Sequence, residues 1–105
     1  MRLLLDTHIV LWAMLDDPRL PPRLRDAIGG AESVHISAAS VWEVSIKAGL
    51  GKLDVPHDLF DRALAAGAQP LPVTWVHARA VAALPQHHAD PFDRLLIAQT
   101  GAERL

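Results

Sequence analysis

The sequence predicts an α/β domain built around a parallel β-sheet. Three short apolar segments, residues 3–5, 34–36 and 71–73, have the length of buried strands, and a helical pattern follows each one. Strands that alternate with helices in this way pair in parallel through right-handed crossovers. With 105 residues, half of them apolar, the chain can bury one hydrophobic core. We therefore expect residues 1–105 to form a single domain.

Capping and turn residues divide the chain into six expected helices. Ser37, Thr74 and Asp90 are suited to N-caps, because a side-chain oxygen can accept a hydrogen bond from a free amide of the first turn. Pro21-Pro22 suits the start of the second helix, and Gly29-Gly30 suits its end. The expected helices cover residues 7–15, 21–28, 37–47, 58–66, 74–84 and the segment from 90 onward.

Charge and composition limit the possible functions. The net charge of −2 argues against a protein that binds nucleic acid through a broad basic face. It is compatible with an enzyme that meets phosphate through a bound metal ion. The sequence has no cysteine, which excludes a disulfide framework and a thiolate metal site. The first apolar run is too short for a signal peptide or a membrane span, so we expect a cytoplasmic protein.

Four acidic residues are placed where separate elements can present them to one point. Asp6 follows the first apolar run, Glu43 lies in the helix expected over residues 37–47, and Asp90 and Asp93 open the last helix. In a parallel sheet, ligands bind beyond the carboxyl ends of the strands, where Asp6 is expected. Mg²⁺ suits such carboxylates, since it binds a few protein oxygens and keeps water or phosphate in its other positions. The pattern suggests metal-assisted phosphodiester chemistry.

Each acid also has a purely structural interpretation. Asp6 and Asp90 can cap helices, and Glu43 can form an exposed i,i+4 ion pair with Lys47. However, the neighbours of Glu43 are largely apolar, and Asp90 and Asp93 would repel each other on one helix face unless a cation joined them. Helix capping does not explain why three separate elements each contribute an acid. We therefore favour a shared metal site.

The histidines and tryptophans are assigned structural roles. None of the six histidines has the i,i+4 spacing of a zinc-binding helix. His87 and His88 adjoin the acidic segment and are either part of a surface loop or a contact for phosphate, with the loop favoured. Trp12, Trp42 and Trp75 fall within expected helices, where core packing or a partner interface is a better interpretation than base stacking.

Several segments of the sequence, taken together, resemble a known family. They are Leu4-Leu5-Asp6-Thr7-His8, residues 40–47, Gly51-Lys52-Leu53 and residues 87–99. In this order they resemble the PIN-domain ribonucleases, and most closely the VapC-type toxins of type II bacterial toxin–antitoxin pairs. The resemblance runs across the whole chain, and its last segment is the most distinctive.

The resemblance implies a three-layer α/β/α sandwich with a central parallel sheet, and an endoribonuclease that depends on Mg²⁺ or Mn²⁺. Asp6, Glu43 and Asp93 match the family's first three acids, which are catalytic and bind metal, and Asp90 is a neighbouring acid that assists in metal binding. Thr7 matches a position that supports the first acid. The resemblance also implies an RNA substrate, an antitoxin that wraps the toxin, and a homodimer.

One departure from the family's pattern opens an alternative. Members usually continue into a last strand with a Thr-x-Asp-type segment that supplies a fourth acid, and this sequence stops before it. The alternative is therefore a truncated, catalytically weak PIN module that binds an antitoxin or dimerises without cutting. A phosphotransfer enzyme similar to the haloacid dehalogenases is disfavoured, because it needs an Asp two residues after its nucleophile, where this chain has His8.

Overall fold

The computed structural model describes residues 1–85 and 90–105, which form three strands, six α-helices and one 3₁₀-helix. In chain order these elements are β1 (Arg2–Leu4), α1 (Thr7–Met14), α2 (Pro22–Gly30), β2 (Ser33–Ser37), α3 (Ala38–Gly49), α4 (Leu59–Ala65), β3 (Gln69–Leu71), α5 (Trp75–Ala80), the 3₁₀-helix (Val81–Ala83) and α6 (Pro91–Glu103). The predicted alternation of strands and helices is confirmed. No helix in these two ranges is long and apolar enough to cross a membrane.

The three strands form a parallel sheet with β2 in the middle. Leu3 of β1 lies opposite Val34 of β2, and Ile36 of β2 lies opposite Pro70 of β3. Because the strands all run in one direction, their carboxyl ends share one edge of the sheet. Helices α1 and α3 start at that edge, just after β1 and β2. The acids carried by these two helices are therefore positioned from the same side of the fold.

Helices pack on the sheet in two groups, as expected for an α/β sandwich. One group is α1, α2 and α4, which cover a core whose buried centre is Leu5, Val10, Ile36 and Ala63. In the other group, α6 packs against both α3 and α5. Burial of apolar side chains in these layers is the main favourable contribution to folding.

Side-chain caps fix the helix starts that the sequence predicts. Ser37 Oγ accepts a hydrogen bond of 3.0 Å from the amide of Ala39, at the start of α3. Thr74 Oγ1 accepts one of 3.3 Å from the amide of His77, at the start of α5. Each cap satisfies an amide that has no partner within its own helix. These local hydrogen bonds explain why α3 and α5 begin where the sequence predicts.

Two expected boundaries are wrong. Strand β3 covers Gln69–Leu71 rather than residues 71–73, because its pairing with β2 sets Gln69 opposite His35 and leaves Pro72 beyond the sheet. Helix α5 ends at Ala80, and the chain tightens into a 3₁₀-helix instead of continuing as one helix over residues 74–84. Gly29 and Gly30 form the last two residues of α2, which confirms that they end this helix.

Candidate active site

Asp6 caps α1 at the carboxyl edge of the sheet. Its Oδ1 accepts a hydrogen bond of 2.8 Å from the amide of His8, and the Nδ1 atom of His8 lies 3.5 Å from the same oxygen. The Asp6 side chain is 51% exposed. Asp6 therefore fulfils the capping role considered for it and still presents its carboxylate to solvent, where a ligand can reach it.

Glu43 lies on α3 and is only 4% exposed. Its Oε2 accepts a hydrogen bond of 2.7 Å from Nζ of Lys47, and this contact is the main reason that the pKa of Lys47 is raised. The charges of Asp90 and Asp93 also raise that pKa, whereas burial opposes the shift. The interpretation of the pair as an exposed surface contact is thus wrong for Glu43, because its carboxylate is buried.

The second oxygen of Glu43, Oε1, is also buried, and no side chain or amide of the described residues donates a hydrogen bond to it. An unpaired carboxylate oxygen in such a place is costly, because it has lost its water without gaining a partner. A cation at Oε1 would offset that cost. This atom is the clearest sign that the site is suited to a positively charged ligand.

Asp90 and Asp93 occupy the first turn of α6. Asp90 Oδ1 accepts hydrogen bonds from the amides of Phe92 at 2.8 Å and Asp93 at 3.3 Å, so Asp90 has the geometry of a helix cap. Asp93 is half-buried and lines a cleft of about 270 Å³ together with Asp6. Carboxylates from the first and last helices therefore border the same cleft.

The other three acids act electrostatically on Asp93. Burial raises the pKa of Asp93, and the carboxylates of Asp90, Asp6 and Glu43 raise it further, while His8 opposes the shift. Such effects between carboxylates require that they lie near one another. The structure therefore brings into one region the four acids that the sequence analysis singled out.

Two neutral contacts join the helices that carry these acids. Thr7 Oγ1 donates a hydrogen bond of 2.9 Å to Ser40 Oγ, and both side chains are buried between α1 and α3. The ring of Trp42 on α3 meets the ring of Phe92 on α6 edge to face, with centroids 5.1 Å apart. The resemblance gave Thr7 a supporting role, but nothing in the local sequence indicated its partner Ser40.

Among the described residues, the acids do not form a complete metal-binding group. Within residues 1–85 and 90–105, no three His, Asp or Glu side chains are grouped so that they could hold a metal ion together. The donor set nevertheless suits a hard divalent cation, because it consists of carboxylate oxygens and includes the unpartnered Oε1 of Glu43. An ion bound here would keep several water ligands, as Mg²⁺ does at sites with one or two protein carboxylates.

The structure corrects the interpretation of two tryptophans. Trp42 is 60% exposed and Trp75 is 86% exposed, so neither is a core residue, and a partner interface remains a prediction for both. Trp12 is half-buried, and the guanidinium of Arg19 lies 5.4 Å from the centroid of its ring. The predicted roles of His87 and His88 concern residues outside the part that the structure describes.

A comparison with protein-family models agrees with the fold. Residues 3–105 match the model described as PIN domain. The match spans nearly the whole chain and includes all four acids of the candidate site. A search of curated proteins finds no significant match.

Proposed function

Because the chain belongs to the PIN-domain family, whose members are generally nucleases, we propose that it is a metal-dependent endoribonuclease that hydrolyses phosphodiester bonds of RNA. One observation above all supports this proposal. Acids from α1, α3 and α6 share an electrostatic site in which Glu43 Oε1 is buried without a hydrogen-bond partner among the described residues. That arrangement is costly for folding, and a metal-binding function explains why the chain maintains it.

PIN domains typically use divalent metal ions, and we propose Mg²⁺ or Mn²⁺ for this chain. Asp6 and Asp93 hold the ion at the cleft they share, and Glu43 completes the pocket through Oε1, directly or through water. The bound ion supplies a water of lowered pKa and offsets the negative charge that develops on the phosphate. Asp90 assists by adding negative charge beside Asp93 and by fixing the start of α6.

Two residues prepare the site for the ion. Lys47 places a positive charge beside the buried Glu43, which partly offsets the negative charge of that carboxylate. The raised pKa of Asp93 means that the metal-free site holds a proton more readily than an ordinary aspartate does. Asp93 would hold a divalent ion in its ionised form, because a nearby positive charge favours the carboxylate over the protonated acid.

We further propose that the protein is a VapC-type toxin that acts in the cytoplasm, is held inactive by an antitoxin and forms a homodimer. Apolar side chains that face solvent support a protein partner, because a patch of this kind commonly marks an interaction surface. They include Val41 and Trp42 on α3 and Trp75 and Val76 on α5.

A second candidate function is a PIN module of weak catalytic activity that binds an antitoxin or dimerises without cutting. The ion pair of Glu43 with Lys47 favours this alternative, because it occupies one of the carboxylate oxygens that metal could use. The lack of a ready three-ligand group within the described ranges points the same way.

Cleavage of a defined single-stranded RNA in Mn²⁺, in Mg²⁺ and in EDTA separates the two candidates. The nuclease proposal requires cleavage that depends on the added metal and disappears in the Asp6→Asn variant. Cleavage in EDTA, or undiminished cleavage by that variant, would contradict the proposed mechanism. A folded protein that binds its antitoxin but leaves RNA intact in all three buffers would favour the binding module.

A further inference from the structure

A cavity of about 380 Å³ adjoins the acidic site and shares Glu43 with it. Its walls come from α1, the turn after α1, α3 and the loop after α3. The polar and aromatic side chains that line it include His8, Trp12, Arg19, Glu43, Lys47 and Lys52. The proposed metal chemistry uses Glu43 and, through it, Lys47, and leaves the others without a role.

The cavity is lined by three cationic side chains, Arg19, Lys47 and Lys52, and by two acids, Asp17 and Glu43, which pair with the first two. The sequence contains two lysines, Lys47 and Lys52, and both line this cavity. Lys47 is paired with Glu43, whereas Lys52 is exposed and forms no ion pair with any residue that the structure describes. An anion that enters from the acidic site therefore meets an ammonium group whose charge is not already neutralised.

One wall of the cavity is formed by the rings of Trp12 and His8 and by the guanidinium of Arg19. The guanidinium of Arg19 lies 5.4 Å from the ring centroid of Trp12, and Asp17 holds it there through an ion pair of 2.7 Å. The ring of His8 lies 6.2 Å from that of Trp12, and His8 also borders Asp6. Aromatic rings and guanidinium planes are the surfaces on which proteins stack unpaired bases. The wall therefore extends from the first acid to a stacking surface.

We propose that this cavity, the nucleotide pocket, binds one nucleotide of single-stranded RNA next to the phosphodiester bond that is cut. The base packs against the wall of Trp12, and a neighbouring phosphate binds Lys52. This inference rests on the proposed nuclease function and adds to it the contact that positions the RNA. Aromatic rings and a cation without an ion-pair partner among the described residues, next to the proposed metal-binding acids, match a base and a phosphate better than they match a peptide. The volume of the cavity is within the range of small-ligand sites.

The fluorescence of Trp12 reports on binding in the nucleotide pocket once the other two tryptophans are replaced. In a Trp42→Phe, Trp75→Phe variant kept in EDTA, a single-stranded RNA hexanucleotide should quench Trp12 emission with a saturable dependence on concentration. RNA should also protect Trp12 from acrylamide. Polyglutamate of the same length is the control for an anionic peptide. Equal quenching by polyglutamate would show that the pocket accepts acidic peptide instead, and the proposal would be wrong.

Variants test the two contacts separately. Trp12→Leu should weaken RNA binding roughly tenfold, while Trp12→Phe, which keeps an aromatic face, should bind nearly as well as the parent. Lys52→Ala should weaken binding and reduce the dependence of log K on log salt by about 0.7, as expected for one lost phosphate contact on a single strand. The matched control, Arg79→Ala, removes an exposed cation of α5 that does not line the cavity and should change neither quantity.

The outcomes distinguish this inference from the nuclease proposal. If RNA is cleaved in a metal-dependent way but Trp12 emission does not respond, and Lys52→Ala behaves like Arg79→Ala, the pocket is not the nucleotide site. If RNA quenches Trp12 and the variants weaken binding as described, but no metal supports cleavage, the pocket stands as an RNA site and the nuclease proposal fails.

Discussion

Nζ of Lys47 lies 2.7 Å from Oε2 of Glu43, while Oε1 of the same carboxylate is buried and accepts no hydrogen bond from the described residues. The carboxylate is therefore partnered on one side only. If the proposed metal binding is right, this asymmetry links the stability of the protein to the occupancy of its site, because Oε1, the atom that is costly to bury unpaired, would be the one available to a cation.

Removing the ammonium group of Lys47 should show how much its contact with Glu43 stabilises the fold. We expect Lys47→Met to lower the free energy of unfolding by about 1–3 kcal/mol, because it leaves a buried carboxylate without a partner. Larger losses occur for fully buried pairs, but Lys47 is 43% exposed and solvent screens its charge. Urea denaturation measures this change in the free energy of unfolding. The control is Lys52→Met, an exposed substitution that should change it by less than about 0.5 kcal/mol. Equal effects of the two substitutions would show that the pair does not stabilise the fold.

Metal binding should stabilise the folded protein. An ion that binds only the folded state adds about 2.7 kcal/mol at a hundredfold excess over its Kd, which raises Tm by on the order of 10 °C for a domain of this size. Thermal melts with and without Mn²⁺ measure the rise, and the Asp6→Asn, Asp93→Asn double variant should lose it. A folded sample whose Tm does not change in millimolar Mn²⁺ would rule out a specific site at these acids.

Asp6→Asn should separate the metal site from the fold. Asparagine caps helices about as well as aspartate, so the bond to the amide of His8 and the start of α1 should be kept. We expect RNA cleavage to be lost and the stability of the metal-free protein to be unchanged or higher, because one repelling charge is removed. Asp26→Asn, an exposed substitution on α2, is the control and should cut RNA normally. A variant that unfolds would instead make Asp6 a structural residue.

The pKa of Asp93 predicts how stability depends on pH. Its pKa in the folded protein is raised above the ordinary value of 3.8, first by burial and then by the neighbouring acids. The folded state therefore binds this proton more tightly than the unfolded chain does. The stabilising contribution of Asp93 is fully present below pH 3.8 and is lost as the pH rises through the folded pKa.

Chemical denaturation at a series of pH values tests this sign. The free energy of unfolding of the parent minus that of Asp93→Asn should fall as the pH rises through that window and should then become constant. Asp90→Asn keeps a capping side chain but removes one of the charges that raise the pKa of Asp93. In that variant, the pH range over which the stability difference falls should therefore be narrower. A difference that grows with pH would mean that the fold favours the charged form of Asp93.

The hydrogen bond between Thr7 and Ser40 should couple α1 to α3. Thr7→Val and Ser40→Ala should each destabilise the protein by about 1 kcal/mol, because each leaves a buried hydroxyl group or a gap. A double-mutant cycle should give a coupling energy of about 0.5 kcal/mol or more. Strictly additive losses would show that the two side chains contribute independently.

Local signals explain most of what the sequence predicts correctly. The caps at Ser37, Thr74 and Asp90 depend on atoms only two or three residues apart, and all three start helices where expected. Strand β3 was misplaced because its position is set by pairing with β2, in which His35 lies opposite Gln69. Such a register depends on residues far apart in sequence, and the local pattern around Pro72 does not contain it.

In the site, too, features set by neighbouring residues were predictable, whereas contacts between residues far apart in the sequence were not. The apolar neighbours of Glu43 indicated its burial, which the structure confirms. The partner of Thr7 was not predictable, since Ser40 is 33 residues away. The buried network in which His77 lies 2.9 Å from Glu103 and 3.2 Å from Gln99 was missed for the same reason, because it joins α5 to α6.

The contact between the rings of Trp42 and Phe92 has a consequence for how such a site could be switched. Each ring precedes an acid by one residue, Glu43 in one case and Asp93 in the other, so an uncharged contact sets the separation of α3 and α6 there. Attraction between apolar rings changes little with acidity or ionic strength, whereas repulsion between carboxylates changes with both. The relative positions of Glu43 and Asp93 should therefore depend little on whether the two acids are charged. A change of pH or of salt concentration should therefore alter the charge of the site more than it alters the separation of α3 and α6.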